Sequence, residues 1–533
     1  MIIFHRFPGN FFNKAAFKSI GNTVIIYQEK NILLQQEFQM IKPGITVCVF
    51  LIFCGCLRVT GQEMLGNVLG NYSGVNGIGL NPSSMNHSNA YLDVNLLGGD
   101  FFFQNNYLYI DSKDYRFTHF FQTGYEYPTH EELYGTGDRT FYYYQNKRDK
   151  QLYQNLRING PGAMLLWGRH AFALTTSARS VLSITHCPYE LANFAYLGLN
   201  YRPQHNINYQ DRRFFSFAEL SWAEAGLSYS YVAYARNLDR IAVGLSLRRL
   251  EGYAGAYVYS NDANYIVPDD STLIVNNLDA EMGYSLPLDY ENAGMWNDKL
   301  FKGGGFAGDI GITYTRLSRV YQRQYSRSFC GYQYEDYLYR IGLALIDIGA
   351  IRFRNHAERY RIDGESSYWT NVNEFEFENL HQLMDTVSYQ FYGNSGAAYS
   401  GDKITVWLPS AVSAQFDYHY TGNWYLNASV VYGFGLAKNS VIRPSQVSLT
   451  PRYESRWFEA NLPLSLYNWN LVRIGLSLRF YGFTVGTDKL GWFFHMSDFT
   501  GMDIYFSFKY FLDRGICGSK KQKGCFDFEY HNR

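Results

Sequence analysis

The sequence predicts an all-β fold, a transmembrane antiparallel β-barrel with an N-terminal plug-like segment. Three observations lead there: long period-2 alternation, an aromatic-rich composition and a secretory leader. The alternation is plainest from Trp222 to Tyr259, which reads as one long hairpin. Ala223, Ala225, Leu227, Tyr229 and Tyr231 lie on one face, and Glu224, Gly226, Ser228 and Ser230 on the other. After a polar turn at Arg236–Arg240, Ile241, Val243, Leu245 and Leu247 oppose Ala242, Gly244, Ser246 and Arg248. Successive strand side chains point to opposite faces, so period 2 marks a strand. Both runs exceed the ~5–6 residues usual in soluble sheets and suit the ~9–11 of a membrane-spanning strand. One face fits lipid, and the other fits a polar lumen.

Aromatics make up 18% of the 533 residues, with 48 Tyr, 40 Phe and 9 Trp, a bias that suits strands and bilayer-interface girdles. The 48 Gly against 13 Pro favour strands that bend around a lumen. Length alone would allow roughly two to four soluble domains. No Pro/Ser-rich or charge-rich linker divides the chain, which favours one large barrel. Residues 1–61 hold six Lys/Arg and two Asp/Glu, so 41 basic and 45 acidic residues follow, a net charge of −4. That offers no basic surface for nucleic acid.

Residues 1–39 lack organisation and are read as a non-native extension, with Met40 as the true start. Lys42 and the apolar run Ile45–Leu57 then make a signal peptide over 40–61, cut ahead of Gln62. Lipidation at Cys56 competes with that reading, although Phe53 and Arg58 flank it poorly. Residues 62–89 are Gly- and Asn-rich and contain the turn Asn81-Pro82-Ser83. They read either as a plug-like segment inside the barrel or as an ordered periplasmic arm. The plug candidates are Asn71, Gly74, Asn81 and Pro82.

The barrel is expected over 90–512, with strands resuming at Ala90–Leu97. Residues 111–160 and 355–402 read as long polar surface loops, because periplasmic turns are short. Gly162–Leu182 is a hairpin about Gly168-Arg169-His170, and Pro188–Tyr196 a short helix constricting the lumen. Gly303–Gly308 matches GxGxxG, but a strand follows it rather than a helix, which rejects a dinucleotide site. Arg340–Phe353 is a strand whose apolar phase slips near Ile346, the mark of a bulge. Val412–Tyr432 is a hairpin about Thr421-Gly422-Asn423. Met502–Phe511 is the closing strand, and a periplasmic tail, 513–533, follows. Its Cys517 and Cys525 are either a disulfide or two free thiols.

The inward faces carry Glu224, Arg248, Asp309, Asp417, Arg473, Arg479, Asp503 and Lys509. They form either a charged permeation path or a ladder of lumen salt bridges, and their mixed signs favour the ladder. The sequence has no HExxH, no GxSxG and no Cys/His cluster; His186-Cys187 runs into Pro188, a turn. No catalytic residue, cofactor or metal site is assigned, and an enzyme is not expected.

Several segments together resemble an uncharacterised bacteroidete family of outer-membrane barrels. They are Asn71-Tyr72-Ser73-Gly74 with Leu80-Asn81-Pro82, Trp222–Leu227, Arg249–Gly252, Ile346–Gly349, Pro451–Glu459 and Gly501–Tyr505. The resemblance spans nearly all of 63–512 and implies the fold, not an activity. The Asn-Pro segment is also similar, more distantly, to the hatch of long-chain fatty-acid transporter-like barrels and of PorV-type barrels. That likeness implies about 14 strands, in keeping with the even counts of bacterial barrels. Fold-level likeness carries no function; the leading expectation is passage of hydrophobic or small molecules past the plug, in the cell outer membrane. A docking barrel for envelope or secretion-system proteins is the alternative, and a barrel enzyme is a distant third. Outer-membrane lipid and the barrel-assembly machinery are the expected partners. Passage calls for a continuous apolar pocket under the segment and a lateral opening; docking calls for a lumen filled by side chains.

Overall fold

The computed structural model describes residues 63–513 except 117, 120, 121, 123–126, 132–137, 292–298, 319–335, 376 and 495. The expected N-terminal extension, the expected signal peptide with Cys56, and the tail with Cys517 and Cys525 lie outside the described residues. Among those described, fourteen antiparallel strands close into a barrel. The first five are β1 (Ala90–Asn105), β2 (Lys150–Asn159 and Gly162–Trp167), β3 (His170–Cys187), β4 (Asn208–Asp211 and Phe215–Arg236) and β5 (Asp239–Ile266). Three interrupted strands come next: β6 (Leu273–Ser285 and Gly303–Leu317), β7 (Tyr337–Phe353 and Glu358–Trp369) and β8 (Tyr399–Gly401, Ile404–Trp407 and Ala411–Thr421). Then come β9 (Trp424–Gly433), β10 (Gln446–Glu454), β11 (Phe458–Asn461 and Leu464–Tyr467) and β12 (Leu471–Ile474 and Leu476–Phe480). The last two are β13 (Phe483–Thr487) and β14 (Gly501–Asp513). Each strand pairs with its neighbour in sequence, and β14 returns to β1 from Ala90↔Asp513 to Gln104↔Gly501, which leaves no open edge in the wall.

Tight turns at Gly168-Arg169, Asn237-Leu238, Gly422-Asn423 and Tyr481-Gly482 mark one end of the barrel. The other longer excursions leave from the opposite, loop end, whereas the span 318–336 between β6 and β7 leaves from the turn end beside Leu238. The outer face alternates as the sequence demands: Leu227 is 68% exposed and Val472 75%, and Val243, Leu245, Ile310, Leu343 and Phe508 are exposed with them. So much apolar surface outside a folded wall has lipid as its natural solvent. Tyr420, Trp424, Trp457 and Trp167 ring the turn end of this band. On β5 it ends toward the loops at Arg249 and Glu251, an exposed ion pair of 2.8 Å.

Beyond that level the strands continue into the loop end, and two expected loops are partly wall. Lys150–Asn159 lies within the expected loop 111–160 yet forms half of β2. Within the expected loop 355–402, Glu358–Trp369 pairs with the upper half of β6, and Leu380–Tyr392 is helix α3. These strands face packed loops and water rather than lipid, so their sequence loses the apolar alternation. Helix α3 covers the outer edge of upper β7, where Ser367 Oγ donates to the Gln390 carbonyl at 2.6 Å. The helix expected at Pro188–Tyr196 is α2, Tyr189–Leu197. Its Phe194 and Leu197 pack on Tyr265 and Val267 at the loop end, above the lipid-facing band, rather than across the membrane-spanning lumen.

The phase slip on β7 is a bulge. Gly308 pairs with Ile348 and Ile310 with Leu345, so Asp309 alone faces Ile346 and Asp347. Asp347 takes a left-handed φ of 58°, and its N–H donates to Asp309 Oδ1 at 2.7 Å.

Candidate functional site

An eight-stranded barrel is just filled by its own side chains, whereas fourteen strands enclose far more room. Residues 63–89 occupy that interior as a four-residue helix, α1 (Leu65–Val68), and two 3₁₀ stretches, Gly74–Gly79 and Pro82–His87. Their irregular backbone finds its hydrogen-bond partners on the inward faces of the wall. Leu65 N–H donates to Asp488 Oδ2 at 3.2 Å, and Gly66 N–H to the Tyr505 hydroxyl at 3.1 Å. Arg452 donates to the Leu69 carbonyl at 3.0 Å, and Lys509 to those of Tyr72 and Ser73.

The four plug candidates are all in these contacts or beside them. Asn71 N–H donates to Glu454 Oε2 at 3.0 Å, while its Oδ1 accepts from Arg340 at 2.6 Å. Gly74 has a φ of 52° and sits on Asp93, whose Oδ2 would lie 2.3 Å from an added Cβ. Asn81 caps the second 3₁₀ stretch by accepting from Ser83 N–H at 3.0 Å, and its amide donates to Thr313 Oγ1 at 3.2 Å and Gln415 Oε1 at 3.0 Å. Pro82 lies over Gly244 and Gly311, which are register partners on β5 and β6. An added Cβ at Gly244 would come within 2.4 Å of Ser83 N and 2.5 Å of the Pro82 carbonyl carbon. Only glycine lets the turn approach so closely.

Toward the loop end lies a charge network. Arg248 reaches Asp309 at 2.6 Å, Asp347 at 2.8 Å and Glu224 at 3.2 Å. Arg179 pairs with Asp347 at 2.8 Å and lies 4.7 Å from the Trp222 ring centroid. Arg443, from the loop 434–445 that folds inward between β9 and β10, bridges Asp347 and Glu63 of the N-terminal segment. Farther around the lumen, Asp417 pairs with Arg452 at 3.1 Å, Arg479 with Glu459 at 2.8 Å, and Lys509 with Asp93 at 3.1 Å. Arg473 instead donates to Gln104 at 3.0 Å and lies 3.6 Å from the Tyr467 ring centroid, and Asp503 accepts from Asp488 N–H at 3.0 Å. All eight charges singled out from the sequence are buried. Glu63, Asp93, Arg179, Asp347, Arg443, Arg452 and Glu459 complete the pairs and are not among the inward charges singled out from the sequence. Asp347 stood at the phase slip, which was the available signal.

Above the charges, Trp222, Leu250, Ile351, Phe353, Val406 and Val441 form one apolar layer inside the barrel. Beneath, between the segment and the wall, lies a cavity of about 30 Å³ bordered by Glu63, Asn76, Gly79, Arg157, Arg179 and Arg443. It is small and of mixed lining, with Met64, Leu80, Phe102, Val181 and Ile442 beside the charged groups, and is not the continuous apolar pocket expected of a passage. The break in β6 between Ser285 and Gly303 lies at the loop side of Arg249 and Glu251, at the rim of the lipid-facing band rather than within it. Among the described residues no group of three or more His, Cys, Asp or Glu is placed to hold a metal ion.

Fold and lumen together define a transmembrane antiparallel barrel of fourteen strands with its N-terminal segment folded among inward-facing side chains. The chain belongs to DUF5723, a family of unknown function, whose pattern matches residues 82–488. None of the curated proteins matches. Among solved structures, it is similar to the TodX deltaS2S3 mutant monoaromatic hydrocarbon channel, at 8% identity and a TM-score of 0.39 over 85% of this chain and 99% of that one. It is also similar to the Pseudomonas putida toluene transporter TodX, at 7% identity and a TM-score of 0.30 over 85% and 98%. A Pseudomonas aeruginosa FadL homologue matches at 11% identity and a TM-score of 0.26 over 85% and 98%. Such loose likenesses carry no weight beside the strand pairing itself.

Proposed function

We propose that this is an outer-membrane barrel through which hydrophobic or small molecules pass when its N-terminal segment, 62–89, leaves the lumen. The supporting observation is how the interior is filled. The wall presents small residues inward, such as Gly244, Gly311 and Ser246, and the space is taken by a segment that joins the wall only at Asn89–Ala90. This fill is not part of the wall: hydrogen bonds, the Glu63–Arg443 ion pair and apolar contacts such as Met85 with Met164 hold it there, and all of these can be exchanged for water or released without breaking a strand. On this reading residues 40–61 are the signal peptide, the tight turns face the periplasm, and lipid and the barrel-assembly machinery are the partners. The protein is a conduit and not an enzyme.

A docking barrel for other envelope proteins is the second reading, favoured by the ion-paired and apolar layers that also close the lumen. Single-channel conductance of refolded mature protein, with and without 62–89, separates the two. Conductance that rises on deletion supports the passage, while silence in both forms refutes it and directs attention to co-purifying partners.

A further inference from the structure

Arg157 is the one inward-facing arginine around the charge network whose guanidinium has no hydrogen-bond or ion-pair partner among the described residues. Its Nε is buried and unsatisfied. The strand register sets its neighbours: Asp100 of β1 on one side and Arg179 of β3 on the other. Arg179 is a like charge directly opposite, an unfavourable arrangement unless something of opposite sign lies between. Asp100 does not supply it, since its Oδ2 accepts from Asn155 at 3.1 Å and it forms no ion pair with Arg157. Glu63 is engaged with Arg443 at 3.3 Å. The guanidinium borders the cavity of about 30 Å³, above the ~10–15 Å³ needed for one water-sized occupant. On the far wall of that cavity lies the N-terminal segment: a Cβ at Gly79 would sit 3.2 Å from Arg157 Nη1.

We infer that this cavity is a binding site for a small inorganic anion of halide size, held by Arg157 against the N-terminal segment. A half-buried cation without a partner is costly, and an anion there gives Arg157 a partner and separates it from Arg179. Because the segment closes the cavity, the anion ties segment to wall without any direct bond between Gly79 and Arg157. The inference holds whether or not the barrel conducts.

Crystals of the mature chain grown with bromide in place of chloride test it by anomalous scattering, beside limited proteolysis of the segment in chloride and in gluconate, which is too large for the cavity. The expected result is a bromide peak at Arg157, absent in Arg157→Gln, and cleavage within 62–89 several-fold faster in gluconate for the wild type only. A water at the site, or Arg157 paired with Asp100, overturns the inference. A bromide peak without any difference in cleavage means an adventitious ion only, and overturns it equally.

Discussion

Replacing Gly244 by alanine should unseat the N-terminal segment while leaving the wall intact. The new Cβ would stand 2.4 Å from Ser83 N, and backbone atoms have no rotamer by which to yield. Restoring ordinary contact needs a shift of about 1 Å. That shift breaks the set formed by Ser83 Oγ with Thr313 Oγ1 at 2.6 Å and by the Asn81 amide with Thr313 and Gln415 at 3.2 and 3.0 Å. At about 0.5–1.5 kcal/mol each, the three together are worth about 1.5–4.5 kcal/mol. The seated form should therefore lose a factor of about 10 to 10³ in population relative to the released form. Strand β5 itself gains, since alanine costs less backbone entropy than glycine. The assay is protease cleavage within 62–89 on refolded protein, with the heat-dependent gel mobility of the barrel as the control for folding. Gly308→Ala is the matched control, because its Cβ would meet nothing nearer than 3.5 Å. A Gly244→Ala protein whose segment resists protease like the wild type, in a folded barrel, would refute the close seating of the turn.

Asp347→Asn removes the sole ion-pair partner of Arg179 among the described residues and one partner each of Arg248 and Arg443. It should cost about 3–5 kcal/mol in urea unfolding, partly restored by adding Arg179→Gln; an unshifted transition would contradict the network. At the loop end, burial by itself raises the Glu358 carboxyl, but hydrogen bonds from Tyr284, His381 and Tyr360 outweigh it and hold the group below its ordinary 4.5. Its stabilising share is complete above the unfolded value and disappears as pH falls through the lower folded value. Hydrogen exchange should then show α3 loosening only under acid conditions, and loosening near neutral pH would count against this role.

The wall was legible wherever strands cross lipid, because there alone every second residue must be apolar. Leu227, Leu245 and Ile312 announce their strands, and Arg157 or Tyr360 on the wet continuations do not. The bulge was visible as a broken phase at Ile346, yet its purpose was not. Turning Asp347 inward beside Asp309 requires knowing that Arg179, Arg248 and Arg443 converge there from three other parts of the chain. The N-terminal turn could be read from Asn81-Pro82, but its seat depends on Gly244 and Gly311, and their adjacency is a matter of register. Loop 434–445 gave no sign in sequence of folding inward.

The seam between β1 and β14 joins the first and last strands, and the N-terminal segment ends where the seam begins, at Ala90. Its hydrogen bonds reach partners 383 residues away at Glu454, 423 at Asp488 and 440 at Ser507. None of these sites exists until the last strands are made and inserted. The N-terminal segment, synthesised before every strand of the wall, is thus among the last to reach its native environment, and closure of the ring and occupancy of its interior become a single late event. A chain interrupted before β14 lacks both the seam and the final holders of the segment, Tyr505, Ser507 and Lys509. Completion of the ring thus serves as the checkpoint for what it contains.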